Sequence, residues 1–364
     1  MIEPVVPEYG GACITGVVPA LLGGRPAPWM PAAARDADAV VLLVLDGLGW
    51  HALETFRDVL PELAALDGSA ITTVVPSTTA AALTSLTTGL APSEHGLVGY
   101  RMRVDGGVLN VLNWHFAGDG RAPDPFVVQR HDAFLRRQVP AVTRAEFRTT
   151  PFTDAQLRGA RFVGWGTRAT LVEHCRRLVV DGEAFVHAYY PGIDKVAHEF
   201  GLRDGFFEAE LRSADALVGA VRNVLPPEAA LVVTSDHGQV HVEEDDWIGL
   251  DALGELVETQ AGDARFRYLY APRADARELA ARARALAGDR AWVRTREELI
   301  TERWLGPRPS GSIGGRIGDV VLAARAPVAF VDPALPREVQ LRSLHGSLTA
   351  EEMLVPLLAA RGRG

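Results

Sequence analysis

The hydrophobic positions of this chain gather into short continuous runs rather than alternating with polar ones. Four stand out: Ala39–Leu45, Ala70–Val75, Ala184–Tyr190 and Ala230–Ser235. Each is rich in β-branched or aromatic residues and ends at a polar or turn residue, as expected of a strand buried on both faces. Between them lie segments such as Phe207–Val224, where apolar residues return at three- and four-residue steps, as on one face of a helix. This alternation predicts an α/β fold, a mostly parallel central sheet flanked by helices. Ligands of such sheets sit at the carboxyl ends of the strands, so the polar residues there are the first candidates for chemistry.

Two regions break the pattern within a chain otherwise expected to form one domain over 1–364. Residues 243–318 read as a small α+β insertion: "RFRYLYAP" and "AWVRT" as strands, "DARELAARARALAG" and "REELITERW" as helices. The glycine-rich "GPRPSGSIGGRIG" closes it and precedes a strand, so it lacks the strand–glycine–helix context of a phosphate cradle. Residues 101–152 show little periodicity and are expected to form an irregular cap over the sheet. Near the carboxyl end, "LRSLHGSLTAEEMLVPLL" reads as His345 and a glycine leading into a capped amphipathic helix.

Composition narrows the classes. Of 364 residues 48% are hydrophobic and 23% charged, which implies a packed core. The net charge of −9, with no basic run beyond pairs such as Arg136-Arg137 and Arg176-Arg177, argues against a nucleic-acid surface. Cys13 and Cys175 are too few for a disulfide framework or a cysteine zinc site. The amino terminus shows no signal-peptide pattern, and Asp46 interrupts the longest apolar stretch well short of a membrane span. A cytoplasmic location is expected.

The strand ends then carry the argument. Asp46-Gly47 alone reads as a turn, but Asp236 and His237 end another predicted strand in the same way. In "YYPGIDKVAHEFG", Asp194 and His198 are four residues apart, on one face of a helix that follows a strand. His345-Gly346 adds a further imidazole. In a chain with ten histidines this grouping suits two neighbouring divalent ions, whose ligands are carboxylate oxygens and imidazole nitrogens. Zinc is the leading ion, with manganese or iron as alternatives. Beside such ions the hydroxyls of "VVPSTTAAALTSLTTG" change meaning. Thr78 or Thr79 is a good helix N-cap, but next to a cation and a helix amino terminus a threonine is also a nucleophile.

In this order the motifs resemble the alkaline phosphatase superfamily, specifically its nucleotide pyrophosphatase/phosphodiesterase branch. "VLDGLG" is similar to the first metal-binding segment, and "VPSTTAAALTSLTTGLAPSEHGLVGY" to the nucleophile segment. "GIDKVAHEFG", "SDHGQ" and "LHGSL" are similar to the remaining metal motifs. The resemblance implies an alkaline phosphatase-like fold and a nucleophile at Thr79, with Thr78 as the fallback. It implies one zinc held by Asp194, His198 and His345 and another held by Asp46, Asp236 and His237, with Thr79 bridging toward substrate. The mechanism it implies is in-line attack by the threonine, a phospho-threonine, and hydrolysis by a metal-bound water. Its substrates would be small phosphodiesters, pyrophosphates or nucleotide-like molecules.

Two positions depart from the family. Ala80 stands where an aromatic residue follows the threonine, and Tyr100 where an asparagine donates to a phosphate oxygen. Tyr100 is therefore the substrate-binding candidate, with Asn110 and Asn113 as alternatives. Arg101 and Arg103 are the nearest basic residues that a dianion would recruit. A phosphomonoesterase or phosphonate C–P hydrolase would use the same ligands, and a metal-stabilised binding protein without turnover is the alternative of another class.

Overall fold

The computed structural model describes residues 3–24, 27–116, 120–272 and 276–364. A seven-stranded sheet forms its centre: β1 Ala39–Leu45, β2 Asp67–Thr72, β3 Pro140–Arg144, β4 Arg161–Trp165, β5 Phe185–Tyr190, β6 Ala229–Thr234 and β7 Leu354–Arg361, in the order β2-β7-β6-β1-β5-β3-β4. All run one way except β7, which is antiparallel to both neighbours. Along β1 successive side chains point to opposite faces. Val40, Leu42 and Val44 join one hydrophobic core, and Val41, Leu43 and Leu45 the other. Burial on both faces explains why the run is apolar throughout instead of alternating.

The observed elements correct several expectations. The second predicted strand lies earlier, at Asp67–Thr72, because Thr73 to Ser77 leave the sheet on the way to the helix Thr79–Thr88. The helix expected after His345 is one short turn, Ala350–Met353, followed by β7. Within 101–152, three short antiparallel strands (Arg101–Val104, Gly107–Asn110, His115–Phe116) lie apart from the central sheet, but Pro140–Arg144 is one of its members.

The region after Glu243 forms an antiparallel four-stranded sheet from Thr259–Asp263, Phe266–Tyr270, Ala291–Thr295 and Val320–Ala324, with the helix Ala276–Ala287 packed on it. Its last strand lies beyond residue 318, so the unit runs further than the expected boundary. The glycine-rich segment before that strand is a docking element, since buried Arg316 donates to the carbonyls of Gly96 and Val128. A buried two-pronged ion pair joins Arg265 of this unit to Glu352, which in turn accepts from the Ser347 amide and the Thr349 hydroxyl.

Candidate metal centre and nucleophile

Three adjacent strands, β6, β1 and β5, deliver most of the site. They are parallel and in register, Leu45 opposite Tyr190 and Val44 opposite Thr234, so their carboxyl ends open at one edge of the sheet. Asp46 follows β1 directly, and Asp236 and His237 follow β6. Asp194 and His198 lie one turn apart on the helix Gly192–Phe200, which starts just after β5. That helix is tied to the end of β1 by the Asp194 amide, which donates to the Asp46 carbonyl at 3.1 Å. His345 follows the two-residue strand Ser343–Leu344, paired with Val240–His241.

The side chains converge. Ligand atoms of Asp194, His198 and His345 all lie within 4.8 Å of one another, as do those of Asp46, Asp194 and His237. Asp194 thus stands between the two sets instead of belonging to one. Asp236 reaches the second set through His237, whose Nε2 is 3.5 Å from its Oδ2 and 3.5 Å from Asp46 Oδ1.

Each imidazole is oriented by its other nitrogen. Nδ1 of His198 contacts the Ser343 carbonyl at 2.6 Å, that of His345 the Ser77 carbonyl at 2.9 Å, and that of His237 the Gly238 carbonyl at 3.1 Å. A carbonyl accepts only, so these contacts assign the proton to Nδ1 and leave a lone pair on each Nε2 facing the cluster. The carboxylates are held as well. Tyr189 donates its hydroxyl to Asp46, Gln239 donates to Asp194 at 3.1 Å, and the Gly47 amide donates to Asp236 at 3.2 Å.

Buried Asp46 Oδ1 and Asp236 Oδ2 nevertheless have no hydrogen-bond partner among the described residues. Burial and the neighbouring carboxylates Asp236 and Asp194 push the Asp46 carboxyl well above its ordinary value; burial raises Asp236 too. Burial and two neighbouring imidazoles drive His345 well below its ordinary value. Orphaned carboxylate oxygens facing neutral imidazole lone pairs are the donor set a divalent cation takes, and a cation would relieve the carboxylate crowding. The residues fit the group.

Thr79 is the first residue of the helix Thr79–Thr88, and its Oγ1 lies 3.1 Å from Nε2 of His237. Thr78 occupies the N-cap position and turns its hydroxyl away, donating to Asp263 Oδ1 at 2.8 Å. Both threonines line the larger cavity, but only the Thr79 hydroxyl contacts a candidate ligand. Asp263 escaped the sequence reading: a lone Asp after Gly262 within the insertion resembles any turn residue. It is buried beside the site, and burial pushes its carboxyl up to about 7.

Two cavities meet at the cluster. The larger, about 560 Å³, is lined by Thr79, Asp194, His198 and His345 together with Tyr100 and Asp263. The smaller, about 350 Å³, shares Thr79, Leu112 and Asp194 with it and extends past Asp46 toward Phe147 and Phe152. Tyr100 accepts at its hydroxyl from Asn110 Nδ2 at 2.7 Å, while Asn113 lines the smaller cavity. The two arginines lie elsewhere. Arg101 is buried in an ion pair with Asp332, and Arg103 sits over the Tyr270 ring near Glu258.

The family model for type I phosphodiesterase / nucleotide pyrophosphatase matches residues 40–348. Among solved structures, murine ectonucleotide pyrophosphatase/phosphodiesterase 5 is similar at 17% identity, with 88% of this chain and 87% of that one covered and a TM-score of 0.69. An inactive (T72A) form of it in complex with AMP gives 16% identity, the same coverage and a TM-score of 0.66. Phosphonoacetate hydrolase from Sinorhizobium meliloti 1021, in complex with phosphonoformate, gives 20% identity, 90% and 91% coverage and a TM-score of 0.64. At these identities the structural likeness concerns the fold. Comparison with curated proteins by sequence gave no match.

Proposed function

Because the chain belongs to the type I phosphodiesterase/nucleotide pyrophosphatase family of hydrolases, within the alkaline phosphatase superfamily, we propose that it cleaves phosphodiester or pyrophosphate bonds of small molecules with Thr79 as nucleophile at a two-metal centre. Asp194, His198 and His345 would hold one divalent ion, and Asp46, Asp236 and His237 the other, with zinc the best match to this mixed oxygen and nitrogen set. When bound, such ions neutralise phosphoryl oxygens and lower the pKa of a water to roughly 7.

The observation that carries this reading is the Thr79 hydroxyl at 3.1 Å from His237 Nε2, on the first turn of a ten-residue helix. The helix amino terminus favours the negative charge of an attacking oxygen and of a phosphoryl group. Attack joins Thr79 Oγ1 to phosphorus and breaks the bond to the leaving oxygen, while the proton lost from the Thr79 hydroxyl passes through solvent to that oxygen or to the medium. Water then attacks the phospho-threonine, restoring the hydroxyl and releasing the second product. Tyr100 would take the place of the family's asparagine: Asn110 donates to its oxygen, and its own proton is available to a phosphoryl oxygen in the cavity that it lines. Burial raises the Tyr100 pKa, which keeps that proton in place.

Release of p-nitrophenol from bis(p-nitrophenyl) phosphate by the zinc-loaded protein, and its loss in Thr79→Ala, tests the reading. Turnover of p-nitrophenyl phosphate alone would move the assignment to a monoesterase, and turnover of phosphonates alone to a C–P hydrolase. No turnover of any of them would leave a binding protein. A cytoplasmic location belongs to the same proposal and is checked by fractionation. Among the described residues no helix is long and apolar enough to cross a membrane, and both cysteines are buried and unpaired.

A further inference from the structure

The chain carries thirty-six arginines and one lysine. That lysine, Lys195, directly follows the candidate ligand Asp194 and lines the smaller cavity, which also opens on Thr79 and Asp46. Its side chain is exposed, and among the described residues its ammonium has no ion-pair or hydrogen-bond partner. Apart from the candidate ligands Asp46 and Asp194, the cavity is walled by apolar groups such as Phe147, Phe152 and Leu157 and by neutral polar ones. From the sheet side it receives His187, 1% exposed, whose Nδ1 lacks any hydrogen-bond partner among the described residues. An orphaned buried imidazole and an unpaired ammonium around one hollow are polar groups that a ligand has yet to satisfy.

We infer that the smaller cavity receives the second organic group of the substrate, and that Lys195 selects a group ending in an anion, a phosphate or a carboxylate. The inference rests on the two-metal phosphodiesterase reading and specifies its substrate. Two cavities that share Thr79 and Asp194 suit a phosphorus centre substituted on both sides, which a monoester is not. An ammonium is a compact point charge on a flexible stem. A guanidinium at this position would be able to fork across the neighbouring Asp194 carboxylate and compete with a metal for it.

The test uses the full chain, zinc-loaded, and three p-nitrophenyl phosphodiesters that differ in the second alcohol: an ethyl group, a chain ending in a carboxylate, and a chain ending in a phosphate. In the wild type kcat/KM should favour one or both anionic esters over the ethyl ester. In Lys195→Ala that selectivity ratio should fall about 10- to 100-fold, the range for losing a hydrogen bond to a charged group. Lys195→Arg should keep part of the ratio. Comparing the carboxylate and phosphate arms identifies which anion is preferred. A ratio near one in the wild type, or one unchanged in Lys195→Ala, overturns the inference while leaving phosphodiesterase activity in place. Absence of turnover on all three esters defeats the underlying reading instead. Zinc content measured on each variant shows whether a changed ratio arises at the cavity: equal loss of all three activities with loss of zinc overturns a role in selection.

Discussion

Thr79 Oγ1 lies 3.1 Å from Nε2 of His237, while the hydroxyl of the adjacent Thr78 points to Asp263. One residue of chain separates a hydroxyl set against the candidate metal ligands from one that donates to a buried carboxyl of the inserted unit. Thr79→Ala should therefore lower kcat by at least about a thousandfold, with the fold and most of the metal retained, because the six other candidate ligands are untouched. Thr78→Ala should lower it far less. Steady-state kinetics with an aryl diester, beside elemental analysis of both variants, separates the two. Reversed phenotypes would assign the nucleophile to Thr78.

The unpartnered oxygens of Asp46 and Asp236 predict metal dependence. Protein purified without chelators should carry about two divalent ions per chain, mainly zinc. Removing them should leave buried carboxylates facing one another and lower the melting temperature as well as abolish turnover. Zinc addition should restore both. A melting temperature indifferent to chelator would contradict the assignment of these side chains as ligands.

Asp263 predicts a pH dependence of stability. Burial, set against the hydrogen bonds from Thr78 and the Tyr100 amide, holds its folded pKa at about 7, above the unfolded value. A carboxyl raised in this way contributes its full stability below about pH 4, and the contribution is lost as pH climbs through about 7. Asp263→Asn cannot ionise. Its stability relative to wild type should rise between pH 4 and 8, by at most roughly 4 kcal/mol. Denaturant midpoints at several pH values measure this, and a flat difference would mean that Asp263 does not titrate in that window.

Substrate charge follows from where the arginines are. Arg101 is committed to Asp332 and Arg103 lies outside the larger cavity, so neither is placed to hold a dianion, and Arg337, exposed on that cavity's wall, is the arginine that would have to do so. Aryl phosphodiesters should be cleaved with higher kcat/KM than the matching monoesters. Arg101→Ala should destabilise the protein, because it removes one of the two guanidinium partners of buried Asp332 and leaves only Arg267 at 3.4 Å, without creating a monoester preference. A tenfold preference for monoesters in the wild type would reverse this assignment.

The six candidate ligands were legible in the sequence because each follows a strand end or shares a helix face, and strand ends in a parallel sheet meet in space. What the sequence obscured has physical causes. Strand β7 reads as a helix because Glu351 and Glu352 precede a run that is apolar on all sides, although Pro356 already argued against a helix interior. Strands β3 and β4 are short and carry arginines, which masks burial patterning. Asp263 reaches the cavity only through the docking of the inserted unit, a long-range contact with no local signature. The role given to Lys195 had a signal, its singularity among thirty-six arginines, that no motif search weighs.

The Arg265–Glu352 pair bears on how such an enzyme changes its specificity. Glu352 sits at the turn into β7, close in the chain to His345, and Arg265 belongs to the inserted unit that brings Asp263 to the larger cavity. The wall of the larger cavity and the loop that carries the candidate ligand His345 are thus bolted together through a fully buried ion pair. The inserted unit is not an interchangeable cassette. Grafting another one in its place would leave Glu352 charged and unmatched and would loosen the footing of His345, so new specificity is reached more cheaply by altering side chains within the cavities than by exchanging the module that frames them.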